Sequence, residues 1–197
     1  VPQARPGLGG WPTIEAGNVD VRVCSGGEFS NNTFDHYGLS LQDCSVAVTD
    51  NEVSSASVSI RGSEEPIQRN VLSEAPLAIG HSDLTLVGLS DDANANTISG
   101  SARARAVTVG GTVPVGSTWQ LDHPTAVYLP VSVVVRGEVR VEPGAVLKLR
   151  PSSTAFSVAS SGSVSLEGSS SEPVVVTALA DDTVGGDSDG NGVSAEV

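Results

Sequence analysis

The chain has 197 residues, with 10 Lys and Arg against 23 Asp and Glu, giving a formal charge of −13 and an isoelectric point near 4.4. Affinity for a phosphate backbone rests on clustered cationic side chains, so this balance argues against nucleic acid and anionic membrane as partners. Methionine is absent, Lys148 is the one lysine, and aromatics make up 4%. Abundant Val, Ser, Gly and Thr favour strands and tight turns, and no apolar run approaches the roughly 18 residues of a membrane span.

Residues 1–17 open with three prolines and three glycines within the first 13 positions. They read as an irregular arm or cap, with Trp11 shielding the first rung of a stack. An opening without methionine or a signal-like apolar segment reads as a processed product of something longer.

From Val19 the apolar residues alternate in short bursts. Val19 and Val21, followed by Cys24, are echoed by Leu39 and Leu41, followed by Cys44. If the two bursts are adjacent coils about 4.8 Å apart, the cysteines fall within the roughly 4.4 to 6.8 Å that a disulfide bridges. A Cys24–Cys44 bond is therefore expected, worth about 3 kcal/mol and implying an oxidising compartment outside the cytoplasm.

The strongest pattern lies between Glu28 and Ile79. Asn32, Asn51 and Asn70 each sit between apolar residues and are spaced 19 apart, and the pairs Leu39/Leu41, Val58/Ile60 and Leu77/Ile79 follow at the same spacing. A period near 20 is too short for a two-helix unit and suits one coil of a β-solenoid. Stacked coils would turn the three asparagines into a ladder, each carboxamide accepting from one neighbour and donating to the next. Residues 18–104 thus read as a β-helix with coils of 19–20 residues.

A longer loop follows Leu89, and Asn96 and Ile98 repeat the spacing of Asn32 and Phe34 beyond an insertion. From residue 105 to 197 the coils are expected to lengthen to 25–26 residues. Val107/Val109 would align with Val133/Val135 and Phe156/Val158, and Val113/Val115 with Val139/Val141 and Val164/Leu166. Between them, Trp119 to Pro130 reads as a loop. The fold expected is all-β, a right-handed parallel β-helix with about three short strands per coil.

The segments Gly111–Trp119, Val133–Leu147 and Pro173–Asp187 resemble those of secreted right-handed parallel β-helix repeat proteins. Residues 18–100 resemble the repeats of the pectate-lyase-like superfamily. The resemblance implies the fold more than an activity, because that superfamily includes lyases, hydrolases, adhesins and structural surface proteins.

At the far end, Asp187, Asp189 and Asn191, then Gly192, match positions 1, 3, 5 and 6 of an EF-hand-type loop. The Val193 carbonyl would serve as position 7, and Asp181 or Asp182 could complete the shell around a structural Ca2+. His36, His81 and His123 lack metal-ligand spacing and read as surface or loop residues. Lyase sites on this fold line one face with acidic and basic groups, for which Asp35, Asp43, Asp50, Glu64, Glu65, Arg61 and Arg69 are available. No catalytic set is assigned. The function expected is a non-catalytic structural or adhesive module of an extracellular or cell-surface protein, meeting other subunits or a surface protein or glycan. The alternative is a polysaccharide-binding or polysaccharide-degrading protein.

Overall fold

Alternate residues of the short apolar bursts face inward and are buried, as a period of two requires. The computed structural model describes residues 19–89 and 92–192, with the side chains of residues 23–25 left aside. Leu39 lies opposite Val58 and Val58 opposite Leu77, with Leu41, Ile60 and Ile79 stacked beside them, all in parallel register. Repetition along the chain has become vertical neighbourhood in a β-solenoid of about seven turns.

The strands are β1 (Val19–Ser30), β2 (Thr33–Asp35), β3 (Leu39–Thr49), β4 (Glu52–Ser54), β5 (Val58–Arg61), β6 (Ile67–Gln68), β7 (Val71–Ser73), β8 (Leu77–Asp83) and β9 (Thr97–Ser99). After these come β10 (Ala106–Val113), β11 (Thr118–Leu121), β12 (Val127–Val135), β13 (Glu138–Val141), β14 (Val146–Leu149), β15 (Phe156–Val158), β16 (Ser163–Leu166) and β17 (Val175–Ala178). A long sheet runs β1-β3-β5-β8-β10-β12-β14-β17. Two further sheets are built, one from β2-β4-β7-β9 and one from β11-β13-β16. Strands β3 and β12 each turn a corner and serve two faces. β3 pairs β5 with its first half and β6 with its last, and β12 does the same with β14 and β15.

The corners are columns of left-handed residues. Asn31, Asp50 and Arg69 form one, Asp43, Gly62 and His81 a second, and His36, Ser55 and Glu74 a third, all with φ between 50° and 70°. Asn and Asp tolerate this conformation better than most side chains, and the asparagine that follows each member of the first column supplies the bonds that hold the bend.

The second half keeps the expected alignment of Val133/Val135 with Phe156/Val158 and of Val139/Val141 with Val164/Leu166, but departs from it in the coil before them. Val107 lies opposite Tyr128 and Val109 opposite Pro130, while Val133 and Val135 lie opposite Gly111 and Val113. The left-handed Ser132 (φ 56°) turns β12 between two faces, so one continuous apolar run carries two columns. Trp119 to Pro130 is likewise mostly strand: Trp119 is buried opposite Val139, and only residues 122–126 connect β11 to β12. Leu147 and Leu149 continue the long sheet opposite Val176 and Ala178. The arm with Trp11 lies outside the described residues, and among these no helix is long and apolar enough to cross a membrane.

Candidate cation site and outer groove

The asparagine column is continuous and gains a fourth member. Asn32 donates its backbone N–H and its Nδ2 to Asn51 Oδ1 (3.0 and 2.9 Å). Asn51 donates in the same way to Asn70 (3.1 and 2.9 Å), and Asn70 to Asn96 (2.9 and 2.9 Å). Asn96 lies 26 residues on from Asn70, because the inserted loop lengthens that coil. Spare Nδ2 hydrogens reach main-chain carbonyls, among them Phe29, Val48 and Ile67.

His123, expected at a surface or loop position, lies in the loop between β11 and β12 but is turned inward, and closes this end of the ladder. It is buried, donates Nε2–H to the Asn96 carbonyl (2.6 Å) and accepts from Thr125 N–H at Nδ1 (3.3 Å). Its own N–H donates to Tyr128 Oη, which donates to the Leu89 carbonyl. Burial pushes the Tyr128 phenol well above its usual range. His36 and His81 are exposed corner residues.

β1 and β3 pair so that Cys24 lies opposite Cys44. The Cys44 side chain is buried; that of Cys24 is outside the described residues.

After β17 the chain doubles back over the outer surface of the long sheet. Gly186 (φ 75°) crosses so close to the turn before β10 that a Cβ would stand 2.7 Å from Ala102 Cβ. Lys148, fully buried, donates from beneath to the Gly186 carbonyl (2.5 Å). Leu179 packs beside the small outer cluster of Ala106, Val127 and Leu129.

This returning segment carries the acidic loop. Carboxylate oxygens of Asp182, Asp187 and Asp189 lie within 4.8 Å of one another. Asp187 folds the turn as the first residue of a cation loop would. Its Oδ1 accepts from Gly190 N–H (2.7 Å) and Asn191 N–H (3.1 Å), and its Oδ2 from Gly192 N–H (2.9 Å). Asp189 Oδ2 accepts from Asn191 Nδ2 (2.9 Å). Val193 lies outside the described residues. Of the two carboxylates proposed to complete the shell, Asp181 is turned to its own strand: it accepts from Thr177 Oγ1 and from Thr183 N–H and Oγ1. Asp182 instead faces the acidic pair, with a buried Oδ1 that has no protein partner.

The electrostatics separate these groups. Hydrogen bonds from Thr177 and then Thr183 hold Asp181 below the usual carboxylate range. Burial opposes ionisation of Asp187, but the N–H groups of Gly192 and Gly190 outweigh it and keep its carboxyl low. Burial, and after it the Asp187 charge, push Asp182 up. Three crowded carboxylates, one with an unsatisfied oxygen, form an all-oxygen donor set that suits a hard divalent cation such as Ca2+.

Beside this segment a groove crosses the outer face of the long sheet. Ser59, Ala78 and Thr108 form its floor, Arg61, His81 and Ser132 one flank, and Arg103 and Arg150 lie towards Asp189. Ion pairs among the described residues join Arg22 to Asp20, Arg69 to Asp50, Arg140 to Glu138 and His36 to Asp35, so the groove arginines take part in none. Arg69 grips Asp50 with two bonds (2.8 and 2.7 Å) on a different corner from Arg61, and the acidic-basic set available in the sequence does not converge. Comparison with family models, with curated proteins and with solved structures finds no match.

Proposed function

We propose that this chain is a structural or adhesive β-solenoid module of an extracellular surface protein, its C-terminal segment fastened by Ca2+. The observation that carries the reading is the unbroken chain of parallel strand pairs from β1 to β17 in the long sheet, in which each coil's main chain bonds to the next. Such a stack is a stiff rod whose loops can meet partners. Within this reading the coils wind right-handed, as in the pectate-lyase-like superfamily, and Cys24 and Cys44 are bonded, since their backbones are already register partners. Asp182, Asp187, Asp189 and Asn191 would hold the ion, which supplies positive charge where three carboxylates converge. Thermal melting in calcium and in chelator tests the fastening: a melting temperature unchanged by chelation refutes it. Intact mass before and after reduction tests the disulfide, with the mass of two hydrogen atoms gained on reduction as the expected result.

The groove favours a second reading, polysaccharide binding or cleavage. Arg61, Arg103 and Arg150 line it without ion-pair partners among the described residues, in a chain of charge −13, which suits an extended anionic glycan. Incubation with a panel of acidic polysaccharides separates the readings. Release of unsaturated products, abolished by Arg61→Ala, replaces the structural reading with this one.

A further inference from the structure

Of the chain's eight asparagines, only Asn191 is followed by glycine. That pair carries its own chemistry. The glycine nitrogen, with no Cβ beside it to hinder approach, can attack the preceding carboxamide carbon. A C–N bond forms in a cyclic imide, the bond to the side-chain nitrogen breaks, and ammonia leaves with the proton given up by the glycine nitrogen. Water then opens the ring at either carbonyl, giving aspartate or isoaspartate.

The structure sets this asparagine apart from the ladder. Asn32, Asn51, Asn70 and Asn96 are buried, with their carboxamides bonded. Asn191 and Gly192 are exposed, Gly192 lies at φ 68°, and no atom stands within 4 Å of where its Cβ would be. One contact opposes the attack. The N–H of the attacking nitrogen donates to Asp187 Oδ2 (2.9 Å), and Asp187 Oδ1 pins the N–H groups of Gly190 (2.7 Å) and Asn191 (3.1 Å) beside it. From this geometry we infer that Asn191 is a site of spontaneous deamidation and that Asp187 is the brake that sets its pace. Bonds to a charged acceptor are the strong ones, and the nitrogen has to leave this one before it can turn to the Asn191 side chain. Against the effect of burial, the N–H groups of Gly192 and Gly190 keep the Asp187 carboxyl low, so it is a poor base for the same proton.

The product reverses the balance of the turn. Asn191 Nδ2 donates to Asp189 Oδ2 (2.9 Å); in either product that donor is lost and a carboxylate is added beside Asp182, Asp187 and Asp189. The turn passes irreversibly from self-bonded to self-repelling. The inference goes beyond the structural-module reading and needs no bound ion.

The test incubates the whole chain, and a free peptide of residues 184–195, in chelator at mildly alkaline pH. Peptide mapping that separates aspartate from isoaspartate follows each asparagine. Asn191 should convert ahead of the other seven asparagines, and about tenfold or more slower than in the peptide, because a charged hydrogen bond breaks first. Asp187→Ala should bring the chain's rate close to the peptide's. Asp187→Asn, which keeps the shape of the side chain, should fall between, with circular dichroism reporting that the coils stay folded. If Asp187→Ala does not fold, the isosteric variant decides alone. Equal rates in chain and peptide, or a rate in Asp187→Asn no faster than wild type, overturn the inference, and a slower one would make Asp187 the base. Earlier conversion at another asparagine, such as the exposed Asn31, overturns the choice of site.

Discussion

Asn51 shows most directly how one side chain holds a bend. Its Oδ1 accepts twice from Asn32, and its Nδ2 serves the Phe29 and Thr49 carbonyls and Asn70 Oδ1. Asn51→Ala leaves several buried donors and acceptors unpaired at about 1–3 kcal/mol each. The expected loss is on the order of 3–5 kcal/mol in denaturant unfolding, and a loss below about 1 kcal/mol would refute the ladder as a stabilising device. Tyr128→Phe removes one hydroxyl that joins the His123 N–H to the Leu89 carbonyl, with an expected cost of about 1–3 kcal/mol by the same measurement. The two sites were not equally legible. The asparagines repeat at one spacing next to apolar residues, a local signal. His123 finds its acceptor on Asn96, 27 residues away, and nothing adjacent to it in sequence marks that meeting.

At the scale of the element, the returning C-terminal segment depends on how its charges are balanced. A carboxyl raised on folding, as Asp182 is, stabilises the fold while protonated, and this contribution is lost as pH rises through its folded value. Asp181, held low, behaves oppositely: its contribution is present above the unfolded carboxyl range and is lost as pH falls through the folded value. In chelator, Asp182→Asn should therefore raise the melting temperature near neutral pH, because it removes the repulsion with Asp187. In calcium the ordering should reverse. A ligand at a hundred times its dissociation constant adds about 2.7 kcal/mol to the wild-type fold, equivalent to roughly 2–4 °C per kcal/mol for a chain of this size, and the variant should lose most of that gain. Parallel melts of both proteins, with and without calcium, check both signs. The turn itself was legible from Asp187, Asp189, Asn191 and Gly192. The choice of Asp182 over Asp181 was not, because neighbours in sequence point to opposite sides and only the path over the sheet decides which faces the loop.

For the whole molecule, stacking makes stability nearly one-dimensional, since each coil touches chiefly the coils on either side. The alternating pairs revealed this architecture, but the register expected for Val107/Val109 and Val113/Val115 failed, because a corner at Ser132 divides one apolar run between two columns. Val133/Val135 and Val139/Val141 do lie opposite Phe156/Val158 and Val164/Leu166. Ile60, fully buried between Leu41 and Ile79, tests how far a defect travels. Ile60→Ala should cost about 2–5 kcal/mol locally. In a rod of nearest-neighbour contacts, amide exchange should then accelerate in β3, β5 and β8, while β13 and β16, several coils away, keep their protection. Uniform acceleration through all the strands would mean that the solenoid opens as one cooperative body. Acceleration confined to the neighbouring coils fits a stack that can lose one coil's packing while its distant coils stay folded.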